Sequence, residues 1–172
     1  IARQLYHNIE PLFESSILTT HKSKFVQFCV FHLCGLEVSV MEKRSANPDD
    51  IANSCTLDRD FAAKLLEIVF DPYRATTTRQ SGACYLASFI SRANYVTPDT
   101  ICEAVAALLR WAEAYLKSIE TKFVHATDAR EQSDFHSLFY TVCQAAFYIM
   151  CFRGKEAILF HQQLSQQQQE GD

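Results

Sequence analysis

Between Arg79 and Ala93 the chain sets small residues, Gly82, Ala83 and Ala87, beside large apolar ones, Tyr85, Leu86, Phe89 and Ile90. At helical spacing the small residues let a neighbouring helix come close, and the large ones fill the space beside the contact. A helix of this composition belongs inside a stack of helices. The 172 residues suit one compact unit, and four glycines and four prolines are too few for a long all-β chain.

Six helices are predicted. The first covers residues 2–17 and is weakened or kinked at Pro11. The second covers 23–33 and stops near Gly35, which reads as a C-terminal cap. A polar segment over 37–56, containing Asn47-Pro48-Asp49-Asp50, reads mainly as a loop. The third helix spans 57–70, with Phe61, Leu65, Ile68 and Val69 on one face, and ends at Asp71-Pro72-Tyr73. Thr76 or Thr77 is expected to cap the fourth, which continues to Arg92.

The fifth helix has the clearest start, with Thr97 as N-cap, Pro98 in the first turn and Asp99 against the positive end of the dipole. Its stripe is Ile101, Val105, Leu108, Ala112, Tyr115 and Ile119, and Glu113 pairs with Lys117 on the outer side. A polar linker occupies 120–132, and Ser133 or Asp134 caps the sixth helix, which Gly154 closes or bends. Along that helix Phe139, Val142, Ala146, Phe147 and Ile149 are expected to be buried. Residues 162–172, with four consecutive glutamines, read as a frayed or disordered tail after a folded unit over 1–161.

The even-numbered helices carry a faint internal repeat. Phe28-Cys29-Val30-Phe31, Ala83-Cys84-Tyr85-Leu86 and Val142-Cys143-Gln144-Ala145 align on their cysteines, 55 and 59 residues apart. Each is an apolar helix preceded by a more amphipathic one. The expected fold class is therefore all-α, a HEAT-type α-solenoid segment of about three antiparallel helix pairs. An irregular bundle is the alternative architecture.

A formal net charge of −4, with Lys and Arg scattered, argues against direct nucleic-acid binding by this segment. Seven cysteines, at 29, 34, 55, 84, 102, 143 and 151, make an odd count without a CxxC pair, and reduced thiols with no structural metal are expected. Six of the seven lie in apolar helical patterns, where free Cys behaves as a small hydrophobe. The run over 135–152 has no Lys, Arg, Asp or Glu, but His136, Ser137, Thr141 and Gln144 are spread along it, so it reads as a buried central helix rather than a membrane span. No glycine-rich phosphate loop, HExxH or GxSxG occurs. Cys29 and His32 on one helix make a poor catalytic pair, and the acids Asp58/Asp60 and Asp49/Asp50 are explained by helix capping and solvation. No enzyme activity and no cofactor are expected.

Three blocks in order resemble a known family. They are Val26-Gln27-Phe28 within a helix, then Arg79-Gln80 with Tyr85-Leu86-Ala87-Ser88-Phe89 and Arg92-Ala93, then Phe139-Tyr140, Gln144-Ala145 and Phe147-Tyr148 ending in Phe152-Arg153. Leu108, Leu109 and Trp111 fall where the family has an aromatic-containing helix. The family is the RNA polymerase I-specific transcription initiation factor known as TIF-IA. The resemblance covers roughly 21–35 and 58–156 and implies an inner fragment of a longer protein. It also implies a non-catalytic helical-repeat protein of the nucleus and nucleolus. Such a protein would bind RNA polymerase I subunits, bridge them to promoter-bound initiation factors at ribosomal RNA genes, and be controlled by phosphorylation. A HEAT-type adaptor or scaffold for nuclear transport or complex assembly is the alternative, and a helical hydrolase a more distant one.

Arg79, Gln80 and Arg92, at the two ends of one packed helix, are the candidate partner-binding residues. Each arginine has an equally available structural role, capping carbonyls or pairing with an acid. Thr76, Thr77, Thr78 and Ser81 form a hydroxyl cluster at that helix's N-terminus, as caps or as phosphorylation targets.

Overall fold

The computed structural model describes residues 2–19, 27–44, 56–122 and 129–169, and all of the regular structure among them is helical. We label the helices α1 (Ala2–Leu12), α2 (Gln27–Arg44), α3 (Leu57–Phe70), α4 (Thr76–Arg92), α5 (Pro98–Lys122) and α6 (Ala129–Gln169). No helix among the described residues is long and apolar enough to cross a membrane.

Chain direction follows from side-chain contacts. Arg59 on α3 meets Asp99 and Glu103 at the start of α5, and Phe70 at the end of α3 stacks on Trp111 farther along α5. Gln80 early in α4 meets Thr141 of α6, and Arg153 of α6 reaches Ile90 and Ala93 at the end of α4. The helices of each pair, α3 with α5 and α4 with α6, therefore run the same way. Along the chain α3 also packs on α4, and α5 on α6.

Edge-to-face aromatic contacts fill the middle. Phe61 of α3 meets Tyr6 of α1, Phe13, Phe31 of α2 and Phe89 of α4, the last at 5.0 Å between ring centres. Such pairs add about 0.5–1.5 kcal/mol beyond the area they bury. Phe13 reaches this core from a π-helical turn, Phe13–Ile17, that follows Pro11 and is closed by the Leu18 amide donating to the Phe13 carbonyl at 2.8 Å.

Several boundaries differ from the sequence reading. Gly35 does not end α2; the helix runs to Arg44, so 37–44 is helix and the remainder of the expected loop, 45–55, lies outside the described residues. A Cβ at position 35 would stand 2.8 Å from the ring of Tyr95. Tyr95 is anchored there by its hydroxyl, which donates to the Phe31 carbonyl. The glycine admits a ring. Within the expected loop Glu37 is buried, accepting from the Leu57 amide at 2.7 Å at the start of α3 and pairing with Arg3 of α1.

Ala75, not Thr76 or Thr77, precedes the first turn of α4, and no side chain caps it. At α5 the Thr97 hydroxyl does accept from the Thr100 amide at 3.3 Å, and Lys117 pairs with Glu113 at 2.7 Å. The α6 backbone is already helical at Ala129, ahead of the expected Ser133 or Asp134 cap, and it passes Gly154 without a break. It continues to Gln169 where a disordered tail was expected, with residues 170–172 outside the described set.

Among the described residues of α6 the buried ones are Leu138, Val142, Ala145, Ala146, Ile149, Arg153, Gly154 and Ala157. These recur at three- and four-residue steps on one face. Phe139 is half-buried and Phe147 is 67% exposed, so the expectation of a buried Phe147 fails. One residue beyond Ala146 the helix has turned by about 100°, away from α4 and α5. Alanines hold the close contact instead.

Arg153 is the buried polar exception, 6% exposed. Its guanidinium donates to the carbonyls of Ile90 and Ala93 at 2.9 and 2.8 Å and of Val96 at 2.9 Å, and pairs with Glu156 at 2.7 Å. These carbonyls lie at the end of α4 and in the following turn, where no next helical turn supplies amides.

Two measurements check this account. Arg153→Met should cost about 3–5 kcal/mol in denaturant unfolding, because the Ile90 and Val96 carbonyls lose their donor and Glu156 its partner, while the Ala93 carbonyl keeps the Val96 amide at 3.1 Å. Phe147→Ala should stay within about 0.5 kcal/mol of wild type, as exposed positions do. Separately, Gly35→Ala should destabilise by about 1–3 kcal/mol through overpacking against Tyr95. The same change in an open helix interior would stabilise.

Candidate partner-binding surface

The start of α4 is built around Arg79. Its Nε donates to the Val69 carbonyl at 2.7 Å, capping the end of α3, and its guanidinium carbon lies 5.8 Å from the centre of the Trp111 ring. That is the cation–π range, and the ring belongs to a ladder of near-parallel aromatics: Phe70, Trp111, Tyr115 and Phe139. Burial pulls the Arg79 pKa down, with Asp71 opposing, yet a guanidinium stays charged in this range. Gln80 is also engaged, its side-chain amide donating to the Thr141 hydroxyl at 3.3 Å. Both residues hold helices together.

Arg92 differs. It is exposed, and its hydrogen bond goes to the Ser88 hydroxyl one turn back on its own helix. It stands at one end of a groove of about 200 Å3 between α4 and α6, lined by Cys84, Ala87 and Ser88 on one side and Thr141, Gln144, Ala145 and Tyr148 on the other. The structure thus separates the three candidates: Arg79 and Gln80 at the inner end of α4, Arg92 facing solvent at the other.

The hydroxyl cluster divides as well. Thr77 is exposed, while Thr76, Thr78 and Ser81 are half-buried. Thr78 borders a shallow depression of about 420 Å3 with Pro11, Glu14, Ser15, Thr19 and Arg74. Arg74 there pairs with Glu14, and Lys64 stands 3.5 Å from the same carboxylate. Their positive charge holds the Glu14 carboxyl below its ordinary value. The cation beside Thr78 is therefore Arg74, whereas Arg79 turns toward Val69 and Trp111.

Among the described residues the acidic and thiol groups offer no activated catalyst. Asp58 is 1% exposed, so it is not the solvated acid that the sequence suggested. Among the described residues neither of its carboxylate oxygens has a hydrogen bond of good geometry, the Thr56 hydroxyl and the Asp58 and Arg59 amides standing only nearby. Burial pushes its pKa up, more than the Thr56 hydroxyl and nearby amides bring it down. Six cysteines are free thiols, and Cys55 lies outside the described residues. Burial raises the pKa of Cys34, Cys84, Cys102 and Cys143, which disfavours the nucleophilic thiolate. Of the three repeat-aligned cysteines, Cys29 and Cys84 are exposed and Cys143 is half-buried, so they mark equivalent outer positions rather than core. His32 is exposed and makes no hydrogen bond to Cys29.

The groove, Glu37 and Arg153 were missed as structural features by the sequence reading. Arg153 was visible only as the last residue of a matching block, and nothing in its neighbours forecasts three carbonyl acceptors from the end of α4 and the turn after it.

The sequence matches the family described as RNA polymerase I specific transcription initiation factor RRN3 over residues 1–47 and 51–171. The chain belongs to this family. The fission yeast Schizosaccharomyces pombe factor rrn3 is 31% identical over 88% of the chain, and the Mus musculus RRN3 28% over 91%. Both are named RNA polymerase I-specific transcription initiation factors, and the chain spans only 22% and 21% of their lengths. A crystal structure of RNA polymerase I transcription initiation factor Rrn3 superposes with a TM-score of 0.68 at 23% identity, over 88% of this chain and 27% of that one. That likeness shows a shared helical fold. RRN3 is a family of initiation factors, not of enzymes.

Within this RRN3-family chain, Arg79→Ala should cost about 1–3 kcal/mol in thermal or denaturant unfolding, through the orphaned Val69 carbonyl and the bare Trp111 face. Arg92→Ala should change stability by less than about 0.5 kcal/mol. Equal losses at the two positions would refute the division of roles.

Proposed function

We propose that this chain is a helical-repeat segment of an RNA polymerase I initiation factor and that it acts by binding, contacting the polymerase and helping to bridge it to promoter-bound factors at ribosomal RNA genes. The family match along nearly the whole chain carries this reading. The parallel pairs α3/α5 and α4/α6 support a HEAT-type solenoid in which successive antiparallel pairs stack, with residues 1–161 forming the repeat segment and 162–172 taking no part in it. The outer face of α6 supports further stacking, since Tyr140, Phe147, Phe152, Ile158 and Leu159 are all at least half exposed. Action in the nucleus, and in the nucleolus where ribosomal RNA genes are transcribed, follows from the same reading.

Within this proposal Arg92 is the partner-contacting residue. Arg79 and Gln80 contribute through the position of α4. Thr77 and Thr78 are the hydroxyls of the α4 edge best placed for phosphorylation, Thr77 by exposure and Thr78 by the depression it borders. A phosphate at either would add about −1.5 to −2 of charge at a partner surface.

The test is retention of purified RNA polymerase I on the immobilised chain. Wild type should retain the enzyme, and Thr77→Asp or Thr78→Asp should weaken binding about three- to tenfold with the circular dichroism unchanged. Failure of wild type to retain polymerase would overturn the proposal, and capture of transport or scaffold proteins from a nuclear extract in a parallel pull-down would replace it by the adaptor reading.

A further inference from the structure

The groove between α4 and α6 has the chemistry of a peptide site. Its floor is apolar, made by the buried methyls of Ala87 and Ala145. One wall is the Tyr148 ring, backed by Phe152 at 4.7 Å between ring centres. On the rim the Gln144 amide is exposed. Thr141 is occupied, accepting from Gln80 and donating to the Ser137 carbonyl at 2.9 Å. Arg92 closes one end.

Charge makes that end specific. Arg3, Arg59, Arg74 and Arg153 each pair with a carboxylate of the chain. Among the described residues Arg92 and Arg110 are the exposed arginines with no carboxylate partner; Arg92 hydrogen-bonds the neutral Ser88 hydroxyl, and of the two it is the one that lines the groove. An exposed guanidinium beside an apolar floor matches an incoming carboxylate, which it can bind in bidentate fashion.

Size selects a peptide over a small molecule. The volume of about 200 Å3 lies below the roughly 300–1,000 Å3 usual for small-molecule pockets. From Cys84 to Arg92 the groove follows α4 for about 12 Å at the helical rise. That length takes about four residues of extended chain at roughly 3.3 Å each.

We propose that this groove docks a short extended segment of a partner protein, which lays a leucine-sized side chain over Ala87 and Ala145 and sets an Asp or Glu carboxylate on Arg92. The Gln144 amide is placed to bond the segment's main chain. The inference rests on the reading of the chain as a partner-binding factor, and it specifies the chemistry of one contact.

The test pans a phage library of random peptides of about 12 residues on the folded chain and measures a synthetic consensus peptide by fluorescence anisotropy. The enriched sequences should share an acidic residue within about two positions of Leu, Ile, Met or Phe. Arg92→Glu, which reverses the charge, and Cys84→Trp, which fills the groove from an exposed position, should each weaken the consensus peptide about tenfold or more, with helicity unchanged. Arg92→Lys should retain part of the affinity. No enrichment on wild type, a consensus without an acid, or equal binding by both disruptive variants would overturn the proposal. Capture of RNA polymerase I by wild type runs alongside. Its failure bears on the polymerase reading alone, because the peptide measurement contains no polymerase.

Discussion

The hydrogen bonds of Arg153 set the relation between the last helix and the rest of the chain. One guanidinium from α6 satisfies carbonyls of Ile90, Ala93 and Val96, which span the end of α4 and the turn into α5. An α-helix leaves its last carbonyls without intrahelical donors, and a buried end must find them elsewhere. Because the donor is a side chain of α6, capping one helix also registers another against it. Glu156 holds the guanidinium from its own helix, so the charge is not buried alone. With that end fixed and Gln80 on Thr141 near the other, α4 and α6 lie parallel, and the shallow groove between them follows.

A similar exchange works on the other side of the molecule. Glu37 of α2 takes the free amide of Leu57 at the start of α3 and pairs with Arg3 of α1, so one carboxylate joins three helices. Nearby, Tyr95 from the α4–α5 turn leans on Gly35 and hydrogen-bonds Phe31. Between these polar ties the rings of Phe13, Phe31, Phe61 and Phe89 supply the apolar bulk, and the edge-to-face geometry of the contacts with Phe61 favours specific orientations over a loose cluster.

A protein assembled this way offers surfaces rather than a reaction centre. Its cationic groups show how a surface is divided: Arg79 is consumed by Val69 and Trp111, Arg74 by Glu14 and Asp71, and Arg92 is left facing solvent beside an apolar floor. Membership in a family of initiation factors rather than enzymes fits that build.

Much of the fold was legible because helical periodicity is a local property. The α3 bounds, the Thr97 cap, the Pro98 start and the buried stripe from Ile101 to Ala112 all depend on residues within a few turns of one another. The ordered blocks of residues also point to the family by sequence alone. What the sequence left open was decided by groups far apart along the chain. Gly35 reads as a cap until Tyr95, distant in sequence, occupies the space of its missing side chain. Phe147 reads as core by hydrophobicity, but close approach of α6 to its neighbours required Ala145 and Ala146 on that face and turned the phenylalanine outward. Arg79 and Arg92 are indistinguishable by composition. Only the placement of α3 and Trp111 beside the first, and of an open groove beside the second, made one a strut and left the other facing solvent.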